Sequence, residues 1–160
     1  MLTLEIICVG KMSSRWFSDG LDEYVKRLGA YDRVVITELP EHRISRDTPS
    51  ARAEAIEKEG EQIAKKLLSA ERSLKVALCV EGKLYSSEEL AGLLEKAKQE
   101  YPKVVFVIGG SAGLSDKVKS MCDIKLSMSP MTFTHQMARM ILAEQLYRAE
   151  SINNGGKYHK

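Results

Sequence analysis

The 160-residue chain contains no CxxC pair and only three cysteines, Cys8, Cys79 and Cys122. Their odd number and wide spacing argue against a disulfide framework or a cysteine zinc site and fit a reducing compartment. No metal is expected. No apolar run is long enough to span a bilayer, and the opening MLTLEIICVG lacks the basic leader and cleavage site of an export signal. A soluble, cytoplasmic protein with no membrane partner is therefore expected. Charge of one sign is also scarce, since 24 Lys and Arg against 22 Asp and Glu leave a net charge of +2. Charge alone does not announce a nucleic-acid binder, although a local basic surface remains open. No internal repeat, low-complexity tract or linker interrupts the chain, so residues 1–160 are read as one domain. Two nucleotide signatures are missing as well. There is no GxxxxGK[ST] phosphate loop, and Gly109-Gly110-Ser111-Ala112-Gly113 lacks GxGxxG spacing. Hydride transfer and nucleotide hydrolysis both lose ground.

What is present centres on Val104 to Leu114, VVFVIGGSAGL. Five apolar residues, four of them β-branched, fit a strand buried on both faces, as in a parallel sheet. Strands are also expected over Leu2–Val9, Val34–Leu39, Leu74–Val80 and Ile124–Met128. Phe17, Leu21, Tyr24, Val25 and Leu28 recur at helical spacing before Gly29. The stretch Glu41–Ser50 reads as a loop. Ile56, Gly60, Ile63, Ala64, Leu67 and Leu68 form the apolar stripe of a helix whose charges read as a solvated face. Ser86 and Glu89 form a capping box. A last helix runs from about Thr134 to Ile152, with Ala138, Ile141, Leu142, Leu146 and Ala149 as its core face. Five strands alternating with five helices mean an α/β fold, a mostly parallel sheet with helices on both faces.

Two turns attract attention. Gly109 and Gly110 end the central strand without side chains, so either a ligand approaches the backbone beyond the strand end or the chain turns tightly there with Gly113. Met128-Ser129-Pro130-Met131-Thr132-Phe133-Thr134-His135 again joins a strand end to a helix start. Its backbone groups and the apolar Met131 and Phe133 suit a purine ring, and the methionines of the region also suit flexible core filling. His135 is either a helix-end histidine bonded to backbone or a catalytic group. Arg139 and Arg148 are placed on the polar side of the last helix, as surface charges paired with Glu144 or Glu150 or as partners for phosphate. The tail ending Lys157-Tyr158-His159-Lys160 is either frayed or a stacking and proton-accepting arm behind a glycine hinge.

Together, several segments resemble one family. These are Leu78 to Lys83, Phe106 to Gly110, Leu126-Ser127, Met131 to Phe133, His135 to Met137, Glu144 to Ala149 and Tyr158 to Lys160. With Val9-Gly10-Lys11 and Glu23 to Leu28, they cover the whole chain and are similar to the RlmH family, bacterial large-subunit ribosomal RNA pseudouridine methyltransferases of the SPOUT superfamily. The resemblance implies a C-terminal trefoil knot, a homodimer, and S-adenosylmethionine bound in the knot. It also implies methylation of N3 of a pseudouridine in 23S ribosomal RNA on the assembled ribosome. Carried over by motif, the cofactor contacts are Leu78, Gly109 and Met128, Ser129, Pro130, Met131, Thr132 and Phe133. Two positions depart from the family pattern. Thr134 stands where proline is common, and Cys79 where an acidic residue is common.

Methyl transfer is an in-line displacement at an activated sulfonium carbon, so the protein has to align donor and acceptor and deal with the N3 proton. On this reading His159 is the candidate base and Tyr158 the stacking partner, with Arg139, Arg148 and His135 as further catalytic candidates. The readings that compete are a SPOUT methyltransferase for another RNA and a ribosome-associated binding module without chemistry.

Overall fold

The computed structural model describes residues 1–160. The chain alternates strand and helix throughout: β1 (Thr3–Val9), α1 (Arg15–Leu28), β2 (Arg33–Leu39), α2 (Pro49–Ser69) and β3 (Ser73–Leu84), then α3 (Ser87–Glu100), β4 (Lys103–Val107), α4 (Asp116–Met121), β5 (Ile124–Ser127) and α5 (His135–Asn153). All strand pairs are parallel, in the order β2-β1-β4-β3-β5. Val104 to Val107 of β4 are fully buried, as expected of a strand covered on both faces. One core sets Leu4, Ile6, Val76 and Phe106 against α1, α3 and α5, while another sets Ile7, Ala77, Val105 and Val107 against α2 and α4. The result is a three-layer α/β/α arrangement with α5 packed between α1 and α3. No helix is long and apolar enough to cross a membrane.

Local chemistry sets the helix starts. Ser86 Oγ accepts from Glu89 N while Ser86 N donates to Glu89, completing the capping box. Thr48 Oγ1 accepts from Ala51 N, and Pro49 fills the first helical turn. Proline needs no donor there, so the helix begins inside the stretch read as a loop. Gly29 follows α1 in a right-handed conformation, φ −59°.

Three expectations need correction. β3 does not stop at Val80. Its pairing with β5 jumps, so that Leu126 lies opposite both Leu78 and Lys83, and residues 79–82 bulge out between them. A Cβ on Gly82 would lie 2.7 Å from the Lys125 carbonyl carbon, and only glycine lets the two backbones meet this closely. On α2, Leu68 is exposed and Glu59 is buried, so the stripe is shifted and one charge is not on a solvated face. On α5, Arg139 does not lie on a polar side: it is 1% exposed, because α5 is enclosed by two helices and has no residue in full contact with solvent.

Candidate cofactor-binding site

Loops at the carboxyl ends of β3, β4 and β5 surround a cavity of about 850 Å³, a size usual for a small-molecule site and in the position where open α/β sheets bind ligands. The first wall is the glycine turn. Gly113 N donates to Gly110 O at 3.0 Å, and Gly113 holds φ +96°, a conformation that favours glycine. A Cβ on Gly109 would stand 2.6 Å from the Gly113 carbonyl carbon, so the turn closes on its own backbone. The tight turn expected with Gly113 is therefore present, and it forms one wall of the cavity.

The second wall follows β5. Ser127 Oγ donates to Ser129 O, and Met131 N donates to Ser129 Oγ, each at 3.0 Å. These local bonds shape the loop and leave Met131 75% exposed at the rim. Thr134 Oγ1 accepts from Met137 N at 3.3 Å, so threonine caps α5 where proline would have preset the turn. The third wall is the β3 bulge, where Glu81 is paired with Lys119 of α4. Lys119 is the sole Lys or Arg among the lining residues. The cavity therefore lacks the cationic clamp that a polyphosphate ligand requires.

Among the residues singled out from sequence, Leu78 and Gly109 line the cavity. So do Met128, Ser129, Met131, Thr132, Phe133 and His135, whereas Pro130 shares the loop but lies outside the lining. Burial lowers the His135 pKa against an opposing pull from Glu41, with Arg139 adding to the fall, which favours the uncharged imidazole. Phe17, Glu81, Lys119 and Gln136 are among the lining residues not foreseen as site residues. Phe17 reaches the wall because Ser13 N donates to Gln136 Oε1 at 3.0 Å and Gln136 Nε2 returns a bond to Ser13 Oγ at 2.8 Å. No spacing in the sequence announces that contact.

The remaining candidates lie elsewhere. Arg139 donates to Glu38 Oε2 at 2.7 Å and to the carbonyls of Val9 and Gly10, which ties α5 to the ends of β1 and β2. The tail is docked rather than frayed. Tyr158 Oη donates to Glu144 Oε1 at 3.0 Å, His159 Nε2 lies 2.8 Å from Glu88 Oε1, and Arg148 bonds both Glu144 and His159 Nδ1. Arg148 also stacks over the Tyr158 ring, 4.7 Å from its centroid. Burial, Tyr24 and Glu144 push the Tyr158 pKa well above the usual phenol value. None of Tyr158, His159, Arg139 and Arg148 lines the cavity. Along α5 the lining reaches Ala138, and Glu144, which holds Tyr158, lies six residues or about 9 Å beyond it, so the tail is seated outside the cavity of its own chain.

A family model described as "Predicted SPOUT methyltransferase" matches residues 2–159. The chain belongs to the SPOUT methyltransferases. Among its relatives are proteins named Ribosomal RNA large subunit methyltransferase H. The one from Lactococcus lactis subsp. cremoris (strain SK11) is 40% identical over 161 residues, 99% of this chain and all of the relative. The one from Bacillus pumilus (strain SAFR-032) is 44% identical over 165 residues, again 99% of this chain and all of the relative. A solved methylase-family protein from Haemophilus influenzae Rd KW20 shares the fold with a TM-score of 0.55 at 18% identity, covering 98% of this chain and 70% of that one. The resemblance drawn from the sequence motifs is thereby borne out at the level of the SPOUT family, as is the α/β architecture.

Proposed function

We propose that this SPOUT methyltransferase uses S-adenosylmethionine to methylate N3 of a pseudouridine in 23S ribosomal RNA, acting in the cytoplasm on the assembled ribosome. The observation that carries the reading is the three-loop cavity, in a chain at least 40% identical over its length to relatives named for large-subunit ribosomal RNA methylation. The cavity suits this cofactor. Half of its lining residues are hydrophobic, which fits a purine, and the lack of a cationic clamp fits a ligand without phosphate. Leu78, Gly109 and the Met128–Phe133 loop would hold it. When bound, it supplies a methyl group on a positively charged sulfur.

The chain's own residues then have to orient the acceptor base and remove its proton. Tyr158, with its raised pKa, serves as a neutral stacking and hydrogen-bonding group. His159 takes the N3 proton at Nδ1, the nitrogen that accepts from Arg148 here, once Arg148 turns from it to the acceptor base and stabilises the charge developing there. The tail is held on Glu144, Arg148 and Glu88, outside the lining of its own cavity. We therefore read the active unit as a homodimer of 1–160 domains in which the tail of one copy closes over the cavity of the other. The implied trefoil knot fits the same geometry. β5 lies outside β3 at the sheet edge, α5 returns between α1 and α3, and the segment joining them passes beside the 109–114 turn.

Calorimetric titration with S-adenosylmethionine tests the cofactor, with binding heat expected. Mass mapping of ribosomal RNA from cells lacking the gene tests the acceptor. Loss of a single N3-methylated pseudouridine is expected, and loss of a methyl group from another RNA would redirect the reading.

A further inference from the structure

Behind the cavity, α2 sets two consecutive residues against the two ends of the glycine turn. Glu59 is 5% exposed, and a Cβ on Gly110 would lie 2.7 Å from its Oε1. Gly60 faces Ser115, whose Oγ would lie 2.6 Å from a Cβ at position 60. Ser115 Oγ in turn accepts from Val118 N and starts α4. The other oxygen of Glu59, Oε2, accepts from His42 N at 3.0 Å, in the loop after β2. One buried carboxyl group thus touches the loops after β2 and β4 together.

Glu59 takes part in no ion pair, and its pKa is raised, chiefly by burial. A buried carboxyl group without a cation is unfavourable for stability, so packing alone does not account for it. Nor does Glu59 line the cavity. Any effect on a ligand passes through Gly110.

We propose that Glu59 is a positioning residue, whose carboxyl group locks the 109–113 turn against the 40–42 loop and so holds one wall of the cavity in its ligand-ready shape. This rests on reading the cavity as the S-adenosylmethionine site. Three of the five residues of the 109–113 turn are glycines, and glycine leaves the unliganded chain more freedom than any other residue. An outside brace reduces the ordering that binding would otherwise have to supply.

The test uses the full chain with Glu59→Ala and Glu59→Gln, read by calorimetry with S-adenosylmethionine and by amide exchange without ligand. Glu59→Ala is expected to weaken binding about tenfold and to speed exchange across residues 109–114, while Glu59→Gln, which keeps the volume and the acceptor for His42 N, stays within about threefold of wild type. Should Glu59→Ala not fold, Glu59→Asp withdraws the acceptor by one methylene and is read in the same way. A residue that only supports the fold would shift the urea midpoint and leave affinity and local exchange unchanged. That result in the Ala variant overturns the proposal. Absence of binding heat in the wild type would strike the cofactor reading alone, because the exchange comparison reports on the turn without ligand.

Discussion

Arg139 and Gly109 each make a contact that substitution would break, with different consequences. The Arg139 guanidinium reaches Glu38 and two backbone carbonyls from inside the protein. Hydrogen bonds to a charged group contribute about 1.5–3 kcal/mol where they are buried. Glu38 is 38% exposed, so the ion-pair share is reduced by solvent. Arg139→Met should therefore lower unfolding free energy by about 2 kcal/mol in urea titrations, with cofactor affinity per folded molecule nearly unchanged. Gly109→Val behaves in the opposite way. Its side chain would meet the Gly113 backbone 2.6 Å away, which has no rotamer to escape into. The turn has to open, and calorimetry should register no S-adenosylmethionine binding even where circular dichroism shows a folded chain. Gly109 was legible because a strand ending in paired glycines has few explanations. Arg139 was not, because its charge suggests a polar side, although Leu142 and Leu146, three and seven residues on, place it on the core face by helical spacing.

Among the elements, helices with local signals were read well and irregular strands were not. The Ser86–Glu89 capping box lies within four residues and needs no tertiary knowledge. The β3 bulge depends on which strand runs beside it, and Gly82 carries no mark of the Lys125 backbone it meets. The tail shows the same divide. Its aromatic and imidazole groups were visible, but its berth on Glu144 and Arg148 of α5 and Glu88 of α3 comes from two separate helices. Truncation after Gly156 removes that berth. It should abolish methyl transfer, leave S-adenosylmethionine binding largely intact, and cost about 1–2 kcal/mol of stability for the lost hydrogen bonds. Full activity in the truncated protein would remove the tail from the mechanism.

The whole molecule is stitched across its sheet by Glu5 of β1, which accepts from Thr37 of β2 at 2.7 Å and from Lys103 of β4 at 2.8 Å. Burial raises the Glu5 pKa, but these two partners outweigh it, and the net value falls below 4.5. A lowered carboxylate pKa contributes stability above the unfolded-state value, and that contribution is lost as the pH falls through the folded value. Lys103→Met should therefore be less stable than wild type at pH 7, and the gap should narrow below about pH 4.5 as Glu5 protonates in both. Equilibrium unfolding at several pH values checks the sign. The dimeric reading has its own test. Gly109→Val lacks a cavity and the tail truncation lacks an arm, so each alone should be inactive. If the arm works across a two-fold interface, an equal mixture should recover about a quarter of wild-type activity, since half of the pairs are mixed and each mixed pair has one complete site.

The order in which the walls appear along the chain has a consequence for its synthesis. The pocket needs the bulge after Leu78, the turn after Val107 and the loop after Ser127, and α5 has to be seated between two helices made long before it. A nascent polypeptide released before residue 127 lacks a whole side of the pocket. If this pocket is the donor site, donor capture arises only after the loop following Ser127 has been made, and products terminated before it do not sequester the methyl donor.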